Sequence, residues 1–124
     1  MKIVRINQLE NTERDVNFTG GHSIRGLIAS DNMGFGVCKT FIPIGGPHRW
    51  HYQNHLEACY CIKGRGVITD LSTGMQHIIV PDVMYVLDKN DDHTFEALED
   101  TVLISIFNPP LRGDEFHDEN GNYI

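Results

Sequence analysis

The 124-residue sequence has only three cysteines, Cys38, Cys59 and Cys61. An odd count without a regular framework argues against a disulfide-stapled scaffold and predicts reduced, buried thiols in a cytoplasmic protein. No apolar run approaches the roughly 20 residues that a membrane-spanning helix needs. Residues 1–10 mix charged with apolar side chains and lack the apolar stretch of a secretory signal. Basic residues are few: ten Lys and Arg stand against seventeen Asp and Glu, a net charge of -7 with His neutral. That balance excludes the clustered cations that nucleic-acid phosphates or an anionic membrane surface require. Repeats and low-complexity stretches are absent. With 40% hydrophobic residues at this length, one globular domain over 1–124 is expected.

What is present is a series of short runs rich in Val, Ile, Phe and Tyr. They predict strands over 2–6, 24–30, 34–42, 56–62, 66–70, 75–80, 83–87, 93–98 and 101–107. Turn-forming clusters separate them, namely Asp31-Asn32, Ile44-Gly45-Gly46-Pro47, Lys63-Gly64-Arg65-Gly66, Ser72-Thr73-Gly74 and Lys89-Asn90-Asp91-Asp92. Strands of this length and spacing argue for an all-β sandwich or barrel. One short helix is expected over 7–13. Asn108-Pro109-Pro110 ends the last strand, and a polar tail, 108–124, follows as a loose end or a flap.

Side chains alternate across a strand, so residues two apart share a face. On 56–62, Glu57 lies with Cys59 and Cys61, while Leu56, Ala58, Tyr60 and Ile62 take the other side. Both faces are apolar apart from Glu57, which predicts a strand covered on both sides and a partly buried carboxylate. Such a group needs an Arg, a hydrogen-bond network or a metal. On their own, Tyr85 reads as a core tyrosine and His93 as a histidine at a strand edge. The densest polar stretch runs from His48 to Glu57 and holds His48, His51 and His55. It reads as a metal or catalytic constellation, with a solvated loop as the alternative.

Glu57 and Gly64 match the second half of the first cupin motif, and Gly74, Pro81 and His93 the second motif. Longer strings are more specific. Asp31-Asn32-Met33-Gly34-Phe35, His51-Tyr52-Gln53-Asn54-His55-Leu56-Glu57-Ala58, the ten residues from Met84 to His93, Phe107-Asn108-Pro109-Pro110 and the seven from Glu115 to Gly121 resemble the ectoine synthase family in order and spacing. The resemblance implies a single-domain cupin, a jelly-roll-like β-barrel. It implies a hydro-lyase that dehydrates N-γ-acetyl-L-2,4-diaminobutyrate to the cyclic amidine ectoine, acting as a cytoplasmic homodimer on a small zwitterionic substrate.

It further implies Fe(II), or another divalent transition metal such as Zn, held by Glu57, Tyr85 and His93. Oxygen and nitrogen donors of this kind suit a first-row metal with open positions. Arg25, Thr40, Tyr52, His55, Phe107, Glu115 and His117 match substrate-pocket positions. Tyr52 and His55 are the expected proton relays, with Glu57 also in the catalytic set, and the tail becomes a lid. Three pocket positions depart from the family pattern: Gly21 stands where Trp is usual, Cys38 where Asn or His is, and Ser105 where Cys is. These changes open an alternative: a relative acting on another γ-amide amino acid or a cyclic amidine, or binding a zwitterion without turnover.

Overall fold

The computed structural model describes residues 1–123. It is almost all β, as expected. Six strands form one antiparallel sheet: β1 (Asp15–Phe18), β2 (Gly21–Leu27), β3 (Gly36–Ile42), β10 (Thr101–Asn108), β5 (Leu56–Lys63) and β8 (Met84–Leu87), adjacent in that order. The other sheet orders β4 (Gly45–Trp50), β9 (His93–Ala97), β6 (Gly66–Asp70) and β7 (Gln76–Ile79). Period-two burial organises the strands. In β3, Gly36, Cys38, Thr40 and Ile42 are buried while the residues between them are less so, and β9 buries His93, Phe95 and Ala97. Ile42, Trp50, Phe95, Leu103 and Phe107 close the core between the sheets. Gly64 makes the turn from β5 to β6 at a φ of +94°, where a Cβ would lie 2.4 Å from the Asp100 carbonyl oxygen; no larger residue fits there.

Several expectations are corrected. Residues 2–6 are not a strand, and 7–13 is no α-helix: a single 3-10 turn occupies Ile6–Leu9. Gly45-Gly46-Pro47, expected as a turn, begins β4. This strand is an edge of its sheet, where a proline's missing N–H leaves no ladder bond unmade. The two glycines absorb a register irregularity between Gly45 and His48. The outer side of β5 is not covered, because Leu56, Tyr60 and Ile62 are exposed. Nor is the tail loose. It runs extended, burying Leu111, Gly113, Glu115 and His117 in alternation, and Tyr123 beyond them. Gly121 lets it pass β4 closely: His51 N–H donates to the Gly121 carbonyl at 3.0 Å, and a Cβ on Gly121 would lie 2.2 Å from the Arg49 carbonyl oxygen.

Candidate active site

Strand register builds the site. Arg25 pairs with Cys38, Cys38 with Ser105, Ser105 with Cys59, and Cys59 with Tyr85. These five residues form one transverse line across β2, β3, β10, β5 and β8, and Arg25, Cys38, Cys59 and Ser105 in it are buried. Strands lie about 4.8 Å apart, so the curved sheet holds a guanidinium toward one end of its inner surface and a phenol at the other. Glu57 sits one inward position further along β5, opposite Phe107 on β10 and Leu87 on β8. Thr40 lies one inward position from Cys38, and its hydroxyl bonds that of Ser105 at 2.9 Å.

Arg25 is fully buried. Its Nε donates to the Ser23 hydroxyl at 3.1 Å. Among the described residues, neither Nη1 nor Nη2 has a hydrogen-bond partner. The nearest carboxylate among the described residues, Glu115, is 3.8 Å from Nη1 and is already engaged: it accepts from the backbone N–H of Arg112 at 2.7 Å and of Gly113 at 2.8 Å. A buried cation with unpaired donors is costly unless an anion completes it. The donor fork suits a carboxylate.

Glu57 is buried with no cationic partner among the described residues. Burial pushes its pKa up to about 7, against hydrogen bonds from the Cys59 thiol and Ser105 hydroxyl that lower it. His93 arrives from the opposite sheet. Its Nδ1 lies 2.9 Å from the Asp91 carbonyl oxygen, and a carbonyl only accepts, so Nδ1 carries the proton and Nε2 keeps its lone pair. That Nε2 is buried and has no partner among the described residues. Such a carbonyl-oriented imidazole, with a free inward nitrogen, fits a metal ligand. The Tyr85 ring centroid lies 6.5 Å from that of His93, and its side chain lines the same void as Glu57. No three His, Cys, Asp or Glu side chains converge among the described residues. A metal held by Glu57 and His93 would therefore need the Tyr85 phenol as its third donor.

The histidines of 48–57 part company. His48 stacks on Trp50, and His51 lies on the outside, 3.9 Å from Asp92. Only His55 borders the barrel mouth, edge-on to Phe107. It donates from Nδ1 to the Pro109 carbonyl at 2.8 Å, which leaves Nε2 as a base. Tyr52 is buried, and burial holds its hydroxyl well above the usual pKa, so it acts as a neutral donor or acceptor. It lies 3.0 Å from His117 Nε2. Burial, with the Arg25 charge second, lowers the His117 pKa to about 3.

Three aromatic residues were not singled out from the sequence: Phe18, Trp50 and Tyr123. Tyr123 stacks on Tyr52 with centroids 4.4 Å apart and lies under the Arg25 guanidinium at 5.6 Å. Phe18 packs on Trp50 and His117. The Phe18 ring lies 3.3 Å from where a Gly21 Cβ would be, and that Cβ would be 2.3 Å from the Phe41 carbonyl oxygen. Position 21 thus takes no side chain here, and Phe18 walls the pocket instead. The only available signals were the lone tryptophan and the Val16–Phe18 alternation. With the tail docked, the void among Thr40, Tyr52, Glu57, Tyr85, Ser105 and Tyr123 is only about 10 Å³.

The family described as Ectoine synthase matches residues 1–124. The L-ectoine synthase of Alkalilimnicola ehrlichii is 45% identical over 124 residues, covering 99% of this chain and 94% of that one. The crystal structure of ectoine synthase from P. lautus superposes with a TM-score of 0.86 at 35% identity, over 91% of this chain and 81% of that one. A Cupin_2 domain of an XRE family transcriptional regulator from Enterobacter cloacae matches with a TM-score of 0.60 at 12% identity, over 73% of this chain and 98% of that domain. That last likeness shows the cupin fold alone.

Proposed function

The chain belongs to the ectoine synthase family of hydro-lyases, and from that membership we propose that it converts N-γ-acetyl-L-2,4-diaminobutyrate to ectoine, with Glu57, Tyr85 and His93 holding a divalent metal. The observation that carries the substrate assignment is the buried Arg25, whose Nη1 and Nη2, without a hydrogen-bond partner among the described residues, meet the need of an amino-acid carboxylate. Fe(II) is the ion we favour, with Zn the alternative. When bound, the ion supplies Lewis-acid polarisation of the amide oxygen.

The protein groups do the rest. Arg25 anchors the carboxylate. Phe18, Trp50, Tyr52, Phe107 and Tyr123 surround the acetyl group and the amidinium that forms, a cation suited to aromatic faces. Thr40 and Ser105 line the sheet side of the pocket, with Cys38 behind Ser105 in register. The α-ammonium must lose one proton before its nitrogen attacks the amide carbon, and that nitrogen loses a second once the C–N bond has formed. A C–N bond forms, the C–O bond breaks, both displaced ammonium protons leave with the oxygen as water, and the positive charge passes to the amidinium. His55 Nε2 takes these protons and Tyr52 relays them. Glu115 braces Arg25, and His117 orients Tyr52.

The tail, 108–124, is the lid of the single domain. Tyr123 fills the space over Arg25 and withdraws to admit substrate. Once closed, the lid excludes water and favours dehydration. The exposed apolar outer face of the large sheet, with Leu56, Tyr60, Ile62 and Ile106, is the surface through which a second copy would form a homodimer, a state that light scattering measures. Three free, buried cysteines accord with a cytoplasmic site of action.

The test is to load the purified protein with Fe(II) anaerobically, supply the acetylated diaminobutyrate, and measure ectoine by chromatography. Gly21, Cys38 and the mutually bonded Thr40 and Ser105 favour a second reading, with a related γ-amide or cyclic amidine as the substrate, or a bound zwitterion without turnover. Substrate that binds without yielding ectoine would select it.

A further inference from the structure

The segment that carries the proton-transfer groups belongs to no strand. Residues 51–55 link β4 to β5 outside both ladders, so sheet register does not fix where the Tyr52 hydroxyl and the His55 ring point. Among the described residues, bonds from two sides hold this segment instead. On one side the end of the tail supplies acceptors: the His51 N–H donates to the Gly121 carbonyl at 3.0 Å, and the Gln53 N–H to Asn122 Oδ1 at 3.0 Å. Those bonds part when the neighbouring Tyr123 withdraws. On the other side stands Asn90. Its Nδ2 donates to the Tyr52 carbonyl at 3.0 Å and to the His55 carbonyl at 3.1 Å. Both partners only accept, so the amide nitrogen must face them, and both of its protons are in use.

Asn90 is itself well anchored. Its backbone takes the left-handed conformation, φ +51°, which asparagine tolerates better than most residues. Asp91 accepts from the Lys89 N–H at 3.1 Å. Asp92 grips Arg49 at the end of β4 twice, 2.8 Å from Nε and 2.7 Å from Nη2. The same loop orients His93, through the Asp91 carbonyl at 2.9 Å. Asn90 thus ties the loop that orients His93 to the segment that carries Tyr52 and His55. The consequence falls on the His55 ring. Its Nδ1 must reach the Pro109 carbonyl, 2.8 Å away, for Nε2 to keep the lone pair. If the backbone at His55 drifts, that bond is lost and the proton settles mostly on Nε2, which ends its use as a base.

We propose that Asn90 is a positioning residue for the reaction: by holding the carbonyls of Tyr52 and His55, it keeps the Tyr52 hydroxyl and His55 Nε2 aimed at the substrate, whether the lid is open or shut. The inference rests on the reading of those two side chains as the proton-transfer pair.

Two variants separate the donors from the turn they sit in. Asn90→Gly leaves the left-handed backbone accessible and deletes the amide, and Asn90→Asp keeps the shape but turns acceptors toward two carbonyl oxygens. Each should lower kcat by about 10- to 100-fold, the upper figure being the cost of a ~1 Å misplacement. KM should stay within about threefold, because Arg25 is untouched, and bound iron should equal that of the unaltered protein. Long-range nitrogen–proton NMR of isotope-labelled histidine gives a readout free of turnover. His55 should carry its proton on Nδ1 in the unaltered protein and mostly on Nε2 in both variants, while His93 keeps its proton on Nδ1. An unchanged His55 tautomer in both variants, or a kcat within about threefold of the unaltered protein, would overturn the proposal. So would a fall in kcat matched by an equal loss of iron, which would make Asn90 a support for His93 alone. If the unaltered protein forms no ectoine, the proposed activity fails, and the His55 tautomer still decides the role of Asn90.

Discussion

Replacing Arg25 with Met should make the protein more stable and nearly inactive. The guanidinium is fully buried and, among the described residues, makes one hydrogen bond through Nε and leaves Nη1 and Nη2 unpaired. Folding therefore carries a desolvation cost that Glu115, 3.8 Å away, offsets incompletely. Apolar replacement of a whole buried ion pair is often neutral or stabilising by about 1–4 kcal/mol, and removal of one partner is costly only where it strands the other. Glu115 would not be stranded, because two backbone N–H groups hold it. Taking ~2 kcal/mol, and the entropy of unfolding expected for a chain of this length, the Tm rises by about 8 °C. Function moves the other way. Two charge-assisted hydrogen bonds to a carboxylate, each worth ~1.5–3 kcal/mol, correspond to a loss of roughly 10²–10⁴ in kcat/KM, chiefly through KM. Thermal unfolding and steady-state ectoine formation measure the two effects. A variant that is less stable but keeps kcat/KM within about threefold would refute the reasoning, since it would make Arg25 a structural cation.

Glu57→Ala, Tyr85→Ala and His93→Ala should each lower bound iron and turnover; full iron occupancy in all three would remove the metal site. His117 titrates at about 3 in the folded chain against an ordinary value near 6.5 when unfolded, so the unfolded state binds more protons between those values. Its contribution is present above pH 6.5 and is lost as pH falls. From pH 6.5 to 4.5 the loss is ~2 kcal/mol, and urea titrations at both pH values should show a correspondingly smaller loss in His117→Gln. Burial pushes the Cys38 thiol up to about 12 and raises Cys59 and Cys61 as well. A chromogenic disulfide reagent should therefore find almost no reactive thiol in the native protein and all three after denaturation; rapid native labelling would contradict the packing.

Local pattern reached most of the strands. β6 falls on 66–70 as expected, and β5, β7, β8, β9 and β10 differ from their expected bounds by one residue at one end or both. β1 and β4 escaped because both are edge strands. β1 is four residues long, and β4 opens with Gly-Gly-Pro, which signals a turn unless an edge position excuses the missing N–H. The tail escaped because its anchors, Leu111, Glu115, His117 and Tyr123, are too mixed in character to read as a strand, although they alternate inward once docked. The exposed outer face of β5 was misjudged because an apolar run looks the same whether a second layer of the fold covers it or solvent meets it.

By itself the sequence determined an all-β domain, the family, and the inward phase of Glu57, Cys59 and Cys61 on one strand. All of these follow from residue identity and period-two alternation, which are local. Only the tertiary structure decided that Arg25 and Tyr85 end one line across five strands, that His93 meets Tyr85 from the opposite sheet, and that Tyr123 lies against Arg25. Register and sheet closure arise from contacts between residues tens of positions apart, and no window along the chain contains both partners.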